Sequence, residues 1–167
     1  MSSKLHLGCG KKILKGWVNL DIVKGKGVDV VHNLEKFPYP FKENTFNEIL
    51  ADNVIEHLAD IIKVMEELHR IGKNGCIVKI IVPYYNHHFA YQDPTHKHFF
   101  TLDSFDYFTK DSGYNYYSGA RFEIVDRKLI PSWLGMIIPF KRKFLNMFSM
   151  VFGEFSKYIV FTLKVVK

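Results

Sequence analysis

The chain has 167 residues, of which 47% are hydrophobic and 24% are charged. These values are typical of a folded globular protein and exclude intrinsic disorder, and the length predicts one domain over residues 1–167. The formal net charge of +6 favours anionic partners but does not distinguish nucleic acids, phosphorylated substrates and lipid surfaces.

The lack of a recognisable targeting pattern in the sequence and its cysteine usage predict a cytoplasmic protein. The first residues lead directly into an apolar run without the pattern of a signal peptide, and no apolar stretch approaches the ~20 residues that span a bilayer. The two cysteines, Cys9 and Cys76, are expected to be reduced thiols.

The first half of the chain alternates short β-rich runs with turns. A helix begins near Asp60, because Ile61, Met65 and Leu68 recur at i, i+4 and i+7. It ends at a predicted turn over Gly72–Gly75. Strands are predicted at Lys4–Leu7, Trp17–Ile22, Val28–His32, Phe46–Ala51 and Cys76–Val82.

The second half begins with a long irregular segment, Tyr84–Phe100, which is rich in His and Tyr. Two further strands, Arg121–Ile130 and Tyr158–Val166, follow and are separated by a helical stretch. Strands that alternate with helical connections predict an α/β domain with a mostly parallel sheet. Residues 1–83 would form a cofactor-binding half, and residues 84–167 an acceptor loop, helices and a C-terminal hairpin.

A glycine turn follows the first predicted strand directly, at Gly8-Cys9-Gly10, and the second strand ends at Asp21. Glycines let the backbone bend sharply and approach a ligand, and a carboxylate at the second strand tip can accept ribose hydroxyls. A nicotinamide fingerprint would need a third glycine where Ile13 stands, and an acid ~20 residues further on. The dinucleotide interpretation is therefore less favoured.

The sequence resembles the class I S-adenosylmethionine-dependent methyltransferases, in particular small stand-alone members of the methyltransferase type 11 kind that are often linked to glycan or cell-surface biosynthesis. The similarity spans about residues 5–105. Its matching stretches are Leu7–Gly10, Gly16–Asp21, Phe37–Phe41, Phe46–Ile49, Val54–Leu58, Leu68–Ile71 and Asp93–His96.

The resemblance implies a Rossmann-like sheet of seven strands in the order 3-2-1-4-5-7-6, with the last strand antiparallel and helices on both faces. It also implies S-adenosylmethionine as the cofactor. Carried over by position, Gly8 and Gly10 would face the methionine moiety, with Cys9 in the same turn, and Asp21 would face the ribose. Asn33 and Leu34 would lie at the adenine, and Asn53 would line the sulfonium side.

Three features depart from the family pattern. His6 stands where many relatives have an acid, and Asn33 stands where an Asp commonly meets the adenine amine. Between Gly10 and Trp17 there is too little chain for a full first helix, so we expect that helix to be shortened and the cofactor pocket to be open on that side.

The loop after the fifth strand carries four histidines, His87, His88, His96 and His98, together with Asp93. It lies at the carboxyl edge of the sheet, where ligands bind in such folds. The loop has three interpretations: solvated side chains, a general base for an acceptor hydroxyl, or a metal site. His96 is the first candidate for the base, with His98 and Asp93 as further catalytic candidates, because Pro94 and Asp93 fix the turn before it.

A metal is not expected. Some metal-binding class I methyltransferases carry Glu-x-x-Glu-His after the fourth strand, and here Asn53 replaces the first Glu of that pattern. Glu56 and His57 are accordingly interpreted as structural residues.

The segment Pro139–Lys157 gathers Phe side chains on one helical face, with Arg142 and Lys157 opposite. It predicts a helix that packs on the core, lies peripherally on the inner face of a membrane, or forms a dimer contact. The pattern of an RNA-binding sheet is not found, so nucleic acid is not the expected partner.

The sequence thus predicts methyl transfer to an oxygen or nitrogen of a small or glycan-like acceptor. A nicotinamide-dependent oxidoreductase, and a non-catalytic module of the same fold that binds a membrane surface or partner, are the alternatives.

Overall fold

The computed structural model describes residues 3–113, 116–137 and 142–167. The strands are β1 (Lys4–Leu7), β2 (Val18–Asp21), β3 (Val30–Val31), β4 (Phe46–Asp52), β5 (Gly72–Pro83), β6 (Arg121–Pro131) and β7 (Ser156–Val166). The helices are α1 (Ile61–Ile71), α2 (Phe89–Gln92), α3 (Trp133–Ile137) and α4 (Arg142–Val151), with 3₁₀ helices at Ile55–His57 and Ser104–Phe108.

All seven strands form one sheet in the order β3-β2-β1-β4-β5-β7-β6. The pairs among β1 to β5 are parallel, and β7 runs antiparallel to both β5 and β6. The predicted α/β class, the strand order and the antiparallel last strand are confirmed. The carboxyl ends of β1, β2, β4 and β5 consequently lie along one edge of the sheet.

The hydrophobic core lies on one face of this sheet. Ile80 of β5 and Phe161 of β7 are neighbours there and are fully buried, together with Met65 and Leu68 of α1 and Phe105 of the second 3₁₀ helix. The alternate positions of the central strands, such as Leu50, Lys79, Ile81 and Val160, are only half-buried or exposed.

No helix is found in the connections between β1 and β3, all of which the structure describes. The buried Asn19 side chain holds the β1–β2 connection instead, because its amide donates to the Leu14 and Trp17 carbonyls and accepts from the Leu14 amide. The first helix, predicted to be shortened, is thus replaced by turns. Helices were expected on both faces of the sheet, but none of them lies in these connections.

Three boundaries differ from those predicted. The predicted turn at Gly72–Gly75 forms the start of β5, because Gly72 pairs with Phe46 of β4; the pairing is irregular there, and Gly75 has a φ of 81°. β3 is reduced to Val30–Val31. The helix predicted over Pro139–Lys157 is α4, which ends at Val151, and β7 begins at Ser156. Lys157 therefore lies on a strand, while Pro139 and Phe140 fall outside the described residues.

Within the described part of the chain, no helix has both the length and the apolar character needed to cross a membrane.

Candidate active site

The turn after β1 is built on two glycines in the left-handed backbone region, Gly8 with a φ of 59° and Gly10 with a φ of 51°. A Cβ at Gly8 would lie 2.4 Å from Cγ2 of Val54, whereas a Cβ at Gly10 would meet nothing within 4 Å. Cys9 between them is buried, and burial raises the pKa of its thiol. The turn therefore presents backbone rather than side chains at this edge of the sheet.

Asp21, at the tip of β2, contacts the glycine turn directly. Its Oδ2 accepts a hydrogen bond from the Gly10 amide at 2.7 Å, and its Oδ1 accepts one from the Val23 amide at 2.9 Å. A carboxylate has further acceptor capacity, so the half-buried Asp21 can still accept bonds from hydroxyl groups of a ligand.

Asn33 and Leu34 follow β3 closely. The Asn33 side chain accepts a hydrogen bond from the Glu35 amide at 2.9 Å, and the Leu34 side chain is buried in the hydrophobic core. The Leu34 carbonyl accepts a hydrogen bond from the Tyr39 hydroxyl at 3.0 Å. Their contact with an adenine stays a prediction.

Asn53 follows β4 and takes a left-handed φ of 52°, which asparagine tolerates better than most residues. Its side-chain amide donates to Asp52, whose other oxygen forms an ion pair with Lys12 of the loop after the glycine turn. Because the next residue, Val54, approaches Gly8, the end of β4 lies against the glycine turn.

A cleft of about 510 Å³ opens beside the end of β4. Residues from the segment after β4, from β5 and β7, and from the segment after β5 form its walls. Its described lining residues are Asn53, Glu56, His57, Pro83, Phe89, Gln92, Asp93, Pro94, His96 and Tyr158.

Of the four loop histidines, only His96 is among these described lining residues. Its Nδ1 lies 2.9 Å from the Ala90 carbonyl oxygen. His98 instead directs Nε2 at the Ala59 carbonyl oxygen, 3.3 Å away, and His88 pairs with Glu154 at 2.6 Å. His87 is buried and also lies next to Glu154, at 3.3 Å.

Asp93 lines the cleft but also stabilises the turn that precedes His96. Its Oδ1 accepts hydrogen bonds from the amide and the hydroxyl of Thr95, at 2.8 and 2.7 Å. These bonds hold the pKa of the Asp93 carboxyl below its usual value. The described contacts of Asp93 are therefore those of a positioning residue.

Glu56 is a feature of the cleft that the sequence analysis assigned only a structural role. Glu56 is 1% exposed, and neither carboxylate oxygen has a hydrogen-bond partner among the other residues that the structure describes. Burial raises the pKa of this carboxyl to about 7.

His57 and His96 lie beside this carboxylate. Their rings are 4.7 Å apart between centroids, and the Nδ1 of His57 lies 2.8 Å from the Thr95 hydroxyl. Burial lowers the pKa of His57. One side-chain ligand atom from each of Glu56, His57 and His96 lies within 4.8 Å of the other two.

Solved structures share this fold over nearly the whole chain. A SAM-dependent methyltransferase from Archaeoglobus fulgidus superposes with a TM-score of 0.67 at 14% identity, covering 96% of this chain and 85% of that one. Another from Thermotoga maritima gives 0.61 at 16% identity, covering 100% and 83%. A third, from Mesorhizobium loti, gives 0.60 at 10% identity, covering 96% and 89%. At these identities the likeness establishes the fold alone.

The fold and the glycine turn define a Rossmann-like domain of the methyltransferase class. Residues 5–80 match the family model of the methyltransferase domain, and this match includes Gly8, Gly10, Asp21 and Asn53. Over residues 5–80 the chain therefore carries a methyltransferase type 11 domain, the domain of S-adenosylmethionine-dependent methyltransferases. Among curated proteins, no sequence matches it significantly.

Proposed function

We propose that this methyltransferase acts on an oxygen or nitrogen of a small or glycan-like acceptor that binds in the cleft. The observation that carries the proposal is the position of two adjacent residues at the end of β4. Val54 approaches Gly8 of the cofactor turn, whereas Asn53 lines the cleft. An acceptor in the cleft would therefore lie next to the predicted cofactor surface.

The residues of the turn fit the methyl donor of the family. Gly8 and Gly10 leave the backbone accessible for the methionine moiety, with Cys9 contributing backbone only, and Asp21 can receive the ribose hydroxyls. In this proposal, Asn33 and Leu34 lie at the adenine and Asn53 at the sulfonium side. S-adenosylmethionine supplies, when bound, an electrophilic methyl group, and the protein aligns the acceptor and excludes water.

Where no metal is bound, His96 is the residue that we propose removes the acceptor's proton. A carbonyl oxygen only accepts hydrogen bonds, so His96 must donate from Nδ1 to Ala90, and its Nε2 then carries the lone pair. Asp93 holds the turn in front of this imidazole. His98 is a weaker candidate, because it is not among the described residues that line the cleft.

The cofactor assignment is tested by thermal unfolding in the presence of nucleotides. S-adenosylhomocysteine should raise the melting temperature and NAD should not, because a ligand stabilises only the folded state that binds it. Equal stabilisation by NAD would favour the oxidoreductase alternative. Binding of S-adenosylhomocysteine without methyl transfer to any hydroxyl or amine acceptor would favour the non-catalytic module.

We further propose that a cytoplasmic form of the protein contacts the membrane peripherally through α4. Phe144, Met147 and Val151 of this helix, spaced at i, i+3 and i+7, are all exposed. In the sequence, a basic run of Lys141, Arg142 and Lys143 spans the point where this helix begins at Arg142. An exposed apolar helix face next to a basic run is the pattern of an interfacial helix.

A further inference from the structure

Within the described part of the chain, a buried carboxylate of the cleft lacks a hydrogen-bond partner. Placing a polar group in an apolar interior without a hydrogen bond is costly, and an ionised carboxylate is costlier still. Glu56 is almost completely buried, and its two oxygens receive no hydrogen bond from any other described residue. Its ligand atom lies within 4.8 Å of those of His57 and His96.

The hydrogen bonds around the two imidazoles determine which nitrogen carries the lone pair. The Thr95 hydroxyl donates its single hydrogen to Asp93, so it must accept from Nδ1 of His57. His96 donates from Nδ1 to the Ala90 carbonyl. Both neutral imidazoles therefore present an unprotonated Nε2 as the remaining ligand atom.

We propose that Glu56, His57 and His96 bind a divalent first-row metal ion. Two imidazole nitrogens and one carboxylate form a ligand set that suits zinc, manganese or iron(II). The hydrogen bonds from the histidines to Thr95 and to Ala90 are the outer contacts that orient metal-binding imidazoles. The cation would give Glu56 the partner that it lacks.

The sequence could not show this arrangement. The expectation of no metal rested on Asn53 at the position of a missing Glu, and the metal interpretation of the loop after β5 did not combine that loop with Glu56 and His57. The His87, His88 and Glu154 cluster differs, because Glu154 already accepts bonds from the backbone and Nδ1 of His88. That cluster is satisfied internally and provides a control.

The role of the cation, but not its binding, rests on the proposed function. Since the three residues line the cleft, the open coordination positions would face the acceptor. A bound cation lowers the pKa of a coordinated hydroxyl. His96 would then act as a ligand, and the cation would let the acceptor's hydroxyl lose its proton to a water molecule before methyl transfer.

The test measures binding of Zn²⁺ to protein stripped with a chelator, in competition with a chromophoric chelator and without cofactor or acceptor. We expect one Zn²⁺ per chain at this site. Glu56→Gln and His96→Ala should each weaken it by about 10- to 100-fold or more, and Thr95→Val, which removes the His57 contact, by about 10-fold. His88→Ala should leave the affinity unchanged.

Each variant is also titrated with S-adenosylhomocysteine, which reports folding and the cofactor site independently. Retained S-adenosylhomocysteine binding with an unchanged Zn²⁺ affinity in Glu56→Gln would overturn the proposal. So would no bound Zn²⁺ in the parent protein, or an equal loss in His88→Ala. Failure of the methyltransferase function would instead appear as loss of S-adenosylhomocysteine binding in the parent protein.

Discussion

Gly8 and Gly10 share a left-handed backbone, but their surroundings differ. Gly8→Ala should lower the free energy of unfolding by about 2–5 kcal/mol, because the left-handed conformation costs a side chain about 1–2 kcal/mol and the contact with Val54 adds overpacking. Gly10→Ala has open space at its Cβ and should lower the free energy of unfolding only by the about 1–2 kcal/mol that the left-handed conformation costs. Urea unfolding of both variants measures the difference, and equal losses would contradict the steric argument.

His96 is the residue whose substitution should separate turnover from cofactor binding. His96→Ala should lower turnover by about 10²–10⁴-fold and leave the affinity for S-adenosylhomocysteine nearly unchanged, since the imidazole lines the cleft but not the glycine turn. The expectation holds whether His96 takes the proton itself or holds a cation. His98→Ala is the matched control, and a comparable effect of that substitution would remove the distinction between the two histidines.

At the scale of the elements, the Glu67 carboxylate links α1 to the segment before β4 through hydrogen bonds. Glu67 accepts hydrogen bonds from the Tyr39 amide at 2.6 Å and from Nε of Arg70 at 2.7 Å. Arg70 in turn donates to the Phe41 carbonyl at 2.9 Å. The group thus holds a proline-containing loop against the helix that packs on the core.

Glu67→Gln should lower the free energy of unfolding by about 2–3 kcal/mol at neutral pH, because it leaves buried donors without a charged acceptor. Burial alone would raise the pKa of Glu67, but the hydrogen bonds from Arg70 and Tyr39 outweigh it and lower the pKa. The contribution is therefore complete above the unfolded pKa of about 4.3 and is lost as the pH falls through the lower folded value.

Urea unfolding of the parent and Glu67→Gln proteins between neutral and acidic pH checks this sign. The difference in the free energy of unfolding between the two proteins should disappear below about pH 4. Glu48→Gln, which removes an exposed ion pair with Lys4, should cost less than about 1 kcal/mol and is the control. A gap that widens on acidification would contradict the assignment of a lowered pKa.

Elements with strong local signals were predictable from the sequence. The apolar spacing of Ile61, Met65 and Leu68 identifies α1, and the Asp60 side chain caps its start by accepting from the Lys63 amide. The prediction of a turn at Gly72–Gly75 was wrong, because its glycines are typical of turns but Gly72 pairs with Phe46. Such pairing depends on a partner strand that local sequence does not identify.

At the scale of the whole molecule, the family resemblance predicted the strand order, but the sequence predicted only part of the cleft. His96 was selected from the Asp93–Pro94 turn, and it does line the cleft. The proximity of Glu56 and His96 could not be deduced, since a contact between residues 40 positions apart depends on how the loop folds back. The amides of Lys97 and His98 bind the Glu56 carbonyl at 2.8 and 3.3 Å, which fixes that return.

The surface of the molecule carries an apolar area on α4 that the core does not use. Met147 is 53% exposed and Val151 69% exposed, which disfavours core packing for this part of the helix among its three predicted roles. Exposed apolar groups on one helix face commonly mark an interaction site. Next to a basic run, such a face fits the anionic lipid surface that we propose as its partner.

Met147→Glu should therefore reduce binding to vesicles that contain anionic lipid, by placing a negative charge on the face that would enter the interface. Co-sedimentation with vesicles of phosphatidylglycerol and phosphatidylcholine, compared with phosphatidylcholine alone, measures the effect. Val125→Glu, which adds the same charge at an exposed position of β6, should bind like the parent protein. If the parent protein sediments with neither vesicle while remaining folded, α4 does not contact membranes. A dimer that Met147→Glu dissociates would identify this face as a contact between two copies of the chain.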